Sequence, residues 1–398
     1  MKDAIRNATR AVRAGLGEDR QHGAVVPPVY FTSTYTFEGF GRKRTYDYTR
    51  SGNPTRDALG QALTELDGGS GATVTSSGMA AITLVCHLLE PGDLLIAPHD
   101  CYGGTHRLLT ALSRRAHFQV AFVDQTDPAA LAGAFAAGPK MVLVETPSNP
   151  LLRITDLAAV SRLSKAAGAI LVADNTFLSP GWQQPLSLGA DAVLYSTTKY
   201  LNGHSDVVGG AVVAGDAALH EELGWWANCL GLTGAPFDSF LTLRGIRSLH
   251  ARLQAHAGNA DIVVDTLVRH PAVARVYYPG LADHPGHHIA ARQQSGFGAM
   301  ASFELIGGEP AVEAFLEGLE HFFLAESLGG VESLVAHPAT MTHAAMEPEA
   351  RRTAGISDSL LRLSIGIEDG EDLARDVNAG LDRALAAAPP GLAVGSGG

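Results

Sequence analysis

From about residue 70 to residue 215 the chain alternates short β-branched runs with stretches of helical period, and this alternation narrows the possible folds most. Leu94–Pro98, Val120–Asp124, Met141–Glu145, Ile170–Asp174, Ala192–Ser196 and Ala211–Ala214 read as strands. Met79–Leu89 and Asp156–Ala167 carry helical periodicity between them. Strands separated by helices of this length imply parallel βαβ units and a sheet covered on both faces, an α/β architecture. Open sheets of that kind bind ligands beyond the carboxyl ends of their strands, so residues just after each strand are where chemistry is expected.

The flanks read differently. Met1–Gly17 carries Lys2, Asp3, Arg6, Arg10 and Arg13 without an apolar segment, which predicts a helix and not a signal peptide or anchor. His22–Tyr48, with Pro27-Pro28 and many Thr, Ser, Tyr and Phe residues, reads as an extended arm. From about Ala257 a helical stretch, strands near Val273–Tyr277 and Ala301–Leu305, and more helix predict a smaller C-terminal α+β domain. The expected division is 1–60, 61–256 and 257–398, with the tail Pro389–Gly398 disordered. A net charge of −12 argues against nucleic acid or an anionic membrane as main partner. No run approaches the ~20 apolar residues of a membrane span. Cys86, Cys101 and Cys229 lie far apart without CxxC spacing, which fits a reducing cytosol and predicts neither a disulfide framework nor a zinc site. His284, His287 and His288 lack a carboxylate or Cys partner at ligand spacing and read as surface histidines, so no metal is expected.

Four strand ends carry the chemistry. Lys199, in Tyr195-Ser196-Thr197-Thr198-Lys199-Tyr200, follows an apolar strand, where an ammonium is costly unless paired or chemically used. Ser196 and Thr198 place hydroxyls beside it that suit a phosphate; alone, the hexapeptide equally fits a solvated lysine with two capping hydroxyls. Asp174 ends the preceding strand, and a crossover brings both residues to one sheet edge. A carboxylate there can keep the pyridine nitrogen of pyridoxal 5′-phosphate (PLP) protonated, making the ring an electron sink. Ser76-Ser77-Gly78-Met79 sits at a strand-to-helix turn, where backbone N–H groups form an anion site. Tyr102 follows another strand and either stacks on a pyridine ring or is simply structural.

With these residues in place, the segments YDYTRSGNPTRDAL, SSGMAAI, HDCYGGTHRL, ETPSNPLL, VADNTFLSP, STTKYLNGHSDVVGG, SGFGAM and LAESLGGVESL make the chain resemble the Cys/Met-metabolism PLP family along nearly its whole length. The resemblance implies the PLP-dependent transferase fold type I, a mostly parallel sheet between helices, assembled as a homotetramer of two tight dimers. Each active site would then be completed by the neighbouring subunit's N-terminal arm. It implies that Lys199 carries the cofactor as an imine, that Asp174 partners its pyridinium nitrogen and that Tyr102 stacks on its ring. Gly78, Met79, Ser196 and Thr198 would hold the phosphate, joined by Tyr48 and Arg50 from the partner's arm. Arg362 matches the arginine that binds the substrate α-carboxylate, with Asn149 and Ser327 beside it. Arg107, Glu326, Asp47 and Asn228 match positions lining the substrate pocket.

The reaction implied is a γ-replacement joining an O-acylhomoserine, the succinyl ester first, to L-cysteine in the cytosol. Elimination from cystathionine by a γ-lyase is the alternative, since both use every residue above. Ser51 stands where some bacterial synthases carry a second arginine, which weakens the case for a succinyl carboxylate. Readings from other classes fit poorly. Gly15–Arg20 lacks the last glycine of a nucleotide-binding GxGxxG, and Gly203–Val207 lacks the last glycine of a hydrolase GxSxG.

Overall fold

The computed structural model describes residues 5–344 and 348–388, so the tail expected to be disordered lies outside the described residues. Seven strands form the first sheet: β1 (Gly71–Thr75), β2 (Leu94–Pro98), β3 (Gln119–Val123), β4 (Met141–Glu145), β5 (Ile170–Asp174), β6 (Ala192–Tyr195) and β7 (Gly210–Ala214). Their spatial order is β1-β7-β6-β5-β4-β2-β3. Strands β2 to β6 pair in parallel, whereas β7 is antiparallel to both of its neighbours, β1 and β6. Two reversals restore the direction, so β1 runs with β6 and six strands share one carboxyl edge. Strands β4, β6 and β7 are buried from end to end, as expected for apolar runs with helices on both faces.

The second sheet holds β8 (Val273–Tyr277), β9 (Met300–Leu305), β10 (Phe322–Leu324), β11 (Ser333–Ala336) and β12 (Leu360–Ser364), in the order β10-β11-β12-β9-β8. It is antiparallel except between β10 and β11. One continuous apolar core joins the two sheets, with Leu59, Tyr195 and Tyr200 from the first part packed in the same cluster as Phe303 and Leu363. The helix Leu249–Arg269 runs unbroken through the division expected at 256/257. Its Arg252 donates to the carbonyls of Tyr200 at 2.8 Å and Gly245 at 2.9 Å. One turn on, His256 Nδ1 meets the Ile365 carbonyl at 2.7 Å. The helix therefore serves both sides of that boundary.

At the other end, α1 (Asn7–Arg13) is the expected N-terminal helix, and α2 (Pro54–Asp67) starts at an Asn53 cap with proline in its first turn. The arm between them has no regular element beyond isolated bridges such as Thr34 to Tyr48, and it exposes Val25, Phe31, Phe37 and Phe40. Among the described residues no helix is long and apolar enough to cross a membrane.

A buried polar chain ties α2 to the back of the first sheet. The Tyr195 hydroxyl donates to Asp67 Oδ1 at 2.7 Å, and Asn175 Nδ2 donates to that hydroxyl at 3.1 Å. Asp67 Oδ2 has no partner, and burial pushes this carboxyl up to about 7. A raised folded pKa means the native state keeps a proton that the unfolded chain releases, so Asp67 favours folding fully below pH 3.8 and progressively less up to about 7. Asp67→Asn keeps an acceptor for Tyr195 and removes this loss. Its melting temperature should match wild type near pH 4 and exceed it at pH 8, by several degrees. Equal melting curves at both pH values would refute the buried-proton account.

Candidate active site

Five strand ends and one strand of the second sheet surround a cavity of about 390 Å³. It is lined by Ser77, Gly78, Met79, Tyr102, Glu145, Asn149, Asp174, Ser196, Thr198, Lys199, Glu326, Ser327 and Arg362, among others. The sequence reading spread these residues along almost 300 positions, and the shared carboxyl edge brings them together.

After β6 the chain turns sharply, with the Lys199 N–H donating to the Ser196 carbonyl at 3.3 Å and the Gly203 N–H to the Lys199 carbonyl at 2.8 Å. The turn aims the Lys199 side chain into the cavity, where Nζ donates to Ser327 Oγ at 2.7 Å. Burial, helped by the Arg362 charge and opposed by Glu326, pushes this amine down to about 8. Ser327 is a non-glycine residue with φ of 99°, a conformation that needs support from its surroundings. Its carbonyl supplies part of that support by accepting Arg362 Nη2 at 2.8 Å.

Arg362, in the fully buried strand β12, is 2% exposed. Its Nη1 donates to Asn149 Oδ1 at 2.7 Å, while its Nε is buried without a partner. A buried guanidinium donor without an acceptor is costly, and Arg362 is among the residues that line the cavity. Burial lowers this guanidinium to about 10, well above neutrality, so it stays a cation.

The first helix past β1, α3 (Gly78–Cys86), begins at Ser77, whose Oγ accepts the Ala80 N–H at 3.0 Å. The N–H groups of Gly78 and Met79 open the helix and have no intrahelical acceptor. A Cβ on Gly78 would come within 2.8 Å of Ser196 Cβ, so only glycine lets the helix start approach β6 this closely. Thr198 Oγ1 also lines the cavity and is engaged with Gly209, donating to its carbonyl at 3.2 Å and accepting its N–H at 3.0 Å.

Two carboxylates stand side by side on neighbouring strands, because Glu145 and Asp174 are register partners. Asp174 Oδ1 accepts the Thr176 N–H at 3.0 Å, and among the described residues no Lys, Arg or His forms an ion pair with it. Burial pushes Asp174 up to about 6 and, with the Asp174 charge added, carries Glu145 well above the usual carboxylate range. Tyr102, at the start of helix α4 (Gly103–Arg114), is 42% exposed and donates its backbone N–H to Glu145 Oε2 at 3.0 Å.

Other expected site residues lie elsewhere in the single chain. Asp47 accepts from Ser51 Oγ at 2.8 Å and pairs with Lys43 at 3.7 Å, both on the exposed arm. Tyr48 is half exposed. Arg50 Nε donates to Asn228 Oδ1 at 3.2 Å, and both border a separate hollow against α2 and β1. Arg107 is exposed on α4 and does not line the cavity. Conversely, the sequence reading assigned no role to Glu145, Thr176 or Thr342, which do line it. For Glu145 the signal was available, since it ends a predicted strand beside the one ending at Asp174.

These groups fit PLP. The N-terminus of α3 with Ser196 suits a phosphate, an unpaired buried carboxylate suits a protonated ring nitrogen, and a lysine of lowered pKa suits an aldehyde. Comparison with known proteins agrees. A cystathionine gamma-synthase of Escherichia coli strain K12 is 58% identical over 94% of this chain and 97% of its own length. A cystathionine gamma-lyase of Bacillus subtilis strain 168 is 46% identical over 95% of this chain and the whole of its own. The crystal structure of cystathionine gamma synthase from Xanthomonas oryzae pv. oryzae, in complex with aminoacrylate and cysteine, superposes with a TM-score of 0.96 at 64% identity, over 96% of this chain and all of that one. The family model described as Cys/Met metabolism PLP-dependent enzyme matches residues 8–382, and the chain belongs to that family of PLP-dependent enzymes.

Proposed function

We propose that the chain is a cystathionine γ-synthase, joining O-succinylhomoserine and L-cysteine to give L-cystathionine and succinate. The observation that carries this reading is the greater likeness to two synthases, at 58% and 64% identity, than to the lyase at 46%. In the reaction the Cγ–O bond of the acylhomoserine breaks, the cysteine sulfur bonds to Cγ, and the thiol proton leaves with the carboxylate.

When bound, PLP supplies an electron sink for the charge left on the substrate α-carbon. Asp174 holds a proton at the pyridine nitrogen. Gly78, Met79, Ser196 and Thr198 receive the phosphate, and Tyr102 covers the ring. Arg362 holds the α-carboxylate with the donors left free by Asn149 and Ser327, which sets the α-hydrogen relative to Lys199. Lys199, neutral above about pH 8, would take the α-proton and, once it has given that proton up, a β-proton, both of which the product regains. Glu326, Arg107, Asp47 and Asn228 shape the outer pocket.

Among the described residues the cations lining the cavity are Lys199 and Arg362, and both have other tasks in this reading, so the cup for the phosphate has no cation of its own. A dianionic group there needs a positive partner, and the exposed aromatic arm bearing Tyr48 and Arg50 supplies one if it reaches a neighbouring subunit. This supports sites shared between subunits, as in the homotetramer of two dimers that the family resemblance implies. Mixing Arg50→Ala with Lys199→Ala subunits should regain roughly a quarter of wild-type activity on random exchange. No recovery despite demonstrated exchange would refute sharing.

One observation favours a γ-lyase instead. Ser51 Oγ donates to Asp47 Oδ1 at 2.8 Å, so this spot presents a hydroxyl bound to a carboxylate where a succinyl ester wants a cation. A product assay on PLP-loaded enzyme separates the two readings. Rapid cystathionine from O-succinylhomoserine plus cysteine, with little 2-oxobutanoate from cystathionine alone, supports the synthase. Cleavage faster than synthesis overturns it.

A further inference from the structure

Glu145 is the one buried acid in the cavity to which the reaction above gives no task. It is 8% exposed and lies at the carboxyl end of β4. A carboxylate so placed must be paid back by hydrogen bonds. Both of its oxygens are used, and each accepts a backbone N–H from a different loop. Oε2 takes Tyr102 at 3.0 Å and Oε1 takes Asn149 at 3.0 Å. The Tyr102 loop follows β2 and the Asn149 loop continues directly from β4, and each carries a side chain of the site.

The Asn149 side continues inward. Its carbonyl meets His343 Nε2 at 3.1 Å, so its backbone is held at both polar groups. Its Oδ1 then accepts Arg362 Nη1 at 2.7 Å, opposite the Ser327 carbonyl on Nη2. The guanidinium plane is therefore fixed by two acceptors, one of which hangs from a backbone that Glu145 anchors. The Tyr102 side is shorter. The residue is 42% exposed, and its ring packs close over Gly104, where a Cβ would fall 2.6 Å from Cε1. The backbone bond to Glu145 is what locates the start of α4 against the sheet edge.

We infer that Glu145 is a positioning residue, a single carboxylate that clips the Tyr102 and Asn149 loops together and thereby sets the ring-covering tyrosine and the arginine that holds the substrate carboxylate. The inference rests on the proposed role of Arg362. A purely structural carboxylate would affect folding and cofactor content; a clip acting through Asn149 affects substrate binding along one path.

The test uses full-length, PLP-loaded enzyme and steady-state kinetics with the acylhomoserine. Glu145→Gln turns one acceptor into a donor facing an N–H, and should raise KM about tenfold with cofactor content unchanged. Asn149→Ala should raise KM comparably, and the double variant should be no worse than Asn149→Ala alone, because both act on one path. Multiplying KM effects, or a wild-type KM in Glu145→Gln, would overturn the clip. An Arg362→Ala enzyme with unchanged KM would instead remove the reading beneath it. Should Glu145→Gln fail to fold, hydrogen exchange on the wild-type holoenzyme decides. The Tyr102 and Asn149 amides should be protected, and exchange at unprotected rates would sink the proposal.

Discussion

Lys199→Ala loses turnover by at least ~10⁴-fold and loses the visible absorption of covalently held PLP, while its fold persists. The fold persists because the amine makes one side-chain hydrogen bond, to Ser327 Oγ, and the turn around it is held by backbone bonds. Lys199→Arg should be equally inactive, since a guanidinium keeps the charge but cannot act as a base near neutrality. Multiple turnovers by either variant would disqualify Lys199 as the base. The wild-type pH profile carries the same signature. With the amine pushed down to about 8 by burial and Arg362, activity should fall as pH drops below that value, because the protonated form cannot accept the α-proton. Glu326 opposes that depression, so Glu326→Gln should move the acid limb to lower pH; movement to higher pH would contradict the assignment.

Arg362→Ala should raise KM for the acylhomoserine roughly 10²-fold, the cost of truncating a buried, hydrogen-bonded charge that meets a carboxylate. The truncation also leaves Asn149 Oδ1 and the Ser327 carbonyl without their donor, so the melting temperature should fall as well. Arg362→Lys should rescue little. A point charge on a flexible stem cannot reach both acceptors and still present a planar edge to a ligand. A KM within twofold of wild type in Arg362→Ala would take this residue out of the substrate site.

The parallel core of the fold was legible because each strand of it is an uninterrupted apolar run. Strands β2, β4 and β5 begin and end where the sequence reading placed them. Strand β1 was legible only through the strand-to-helix turn that follows it at Ser76, since Gly71-Ala72-Thr73-Val74-Thr75 is weakly apolar and is made a strand by pairing with β7 across more than a hundred residues. The reversal of β7 was equally hidden, because the connection from β6 holds a turn with Lys199 in it and no crossover helix. The cofactor residues were legible as strand-end chemistry, while Asn149, Ser327 and Arg362 were named through family likeness. Their meeting is tertiary, with Arg362 reaching the cavity from a different sheet. What one chain could not place is the outer pocket. Asp47 and Tyr48 find partners on their own arm and Arg50 and Asn228 find each other, and no local pattern encodes a neighbour's surface.

The apolar core that runs without a seam beneath both sheets has a consequence for how such a chain can diversify. Because Lys199 follows, and Arg362 sits on, a strand whose side chains build that common interior, changes there disturb the whole body of the protein. The arm and the solvent-facing turns touch little of it. New substrates or new fates for the same carbon skeleton are therefore within reach of substitutions at the periphery, such as the exposed arm that carries Ser51, while the inherited machinery stays intact.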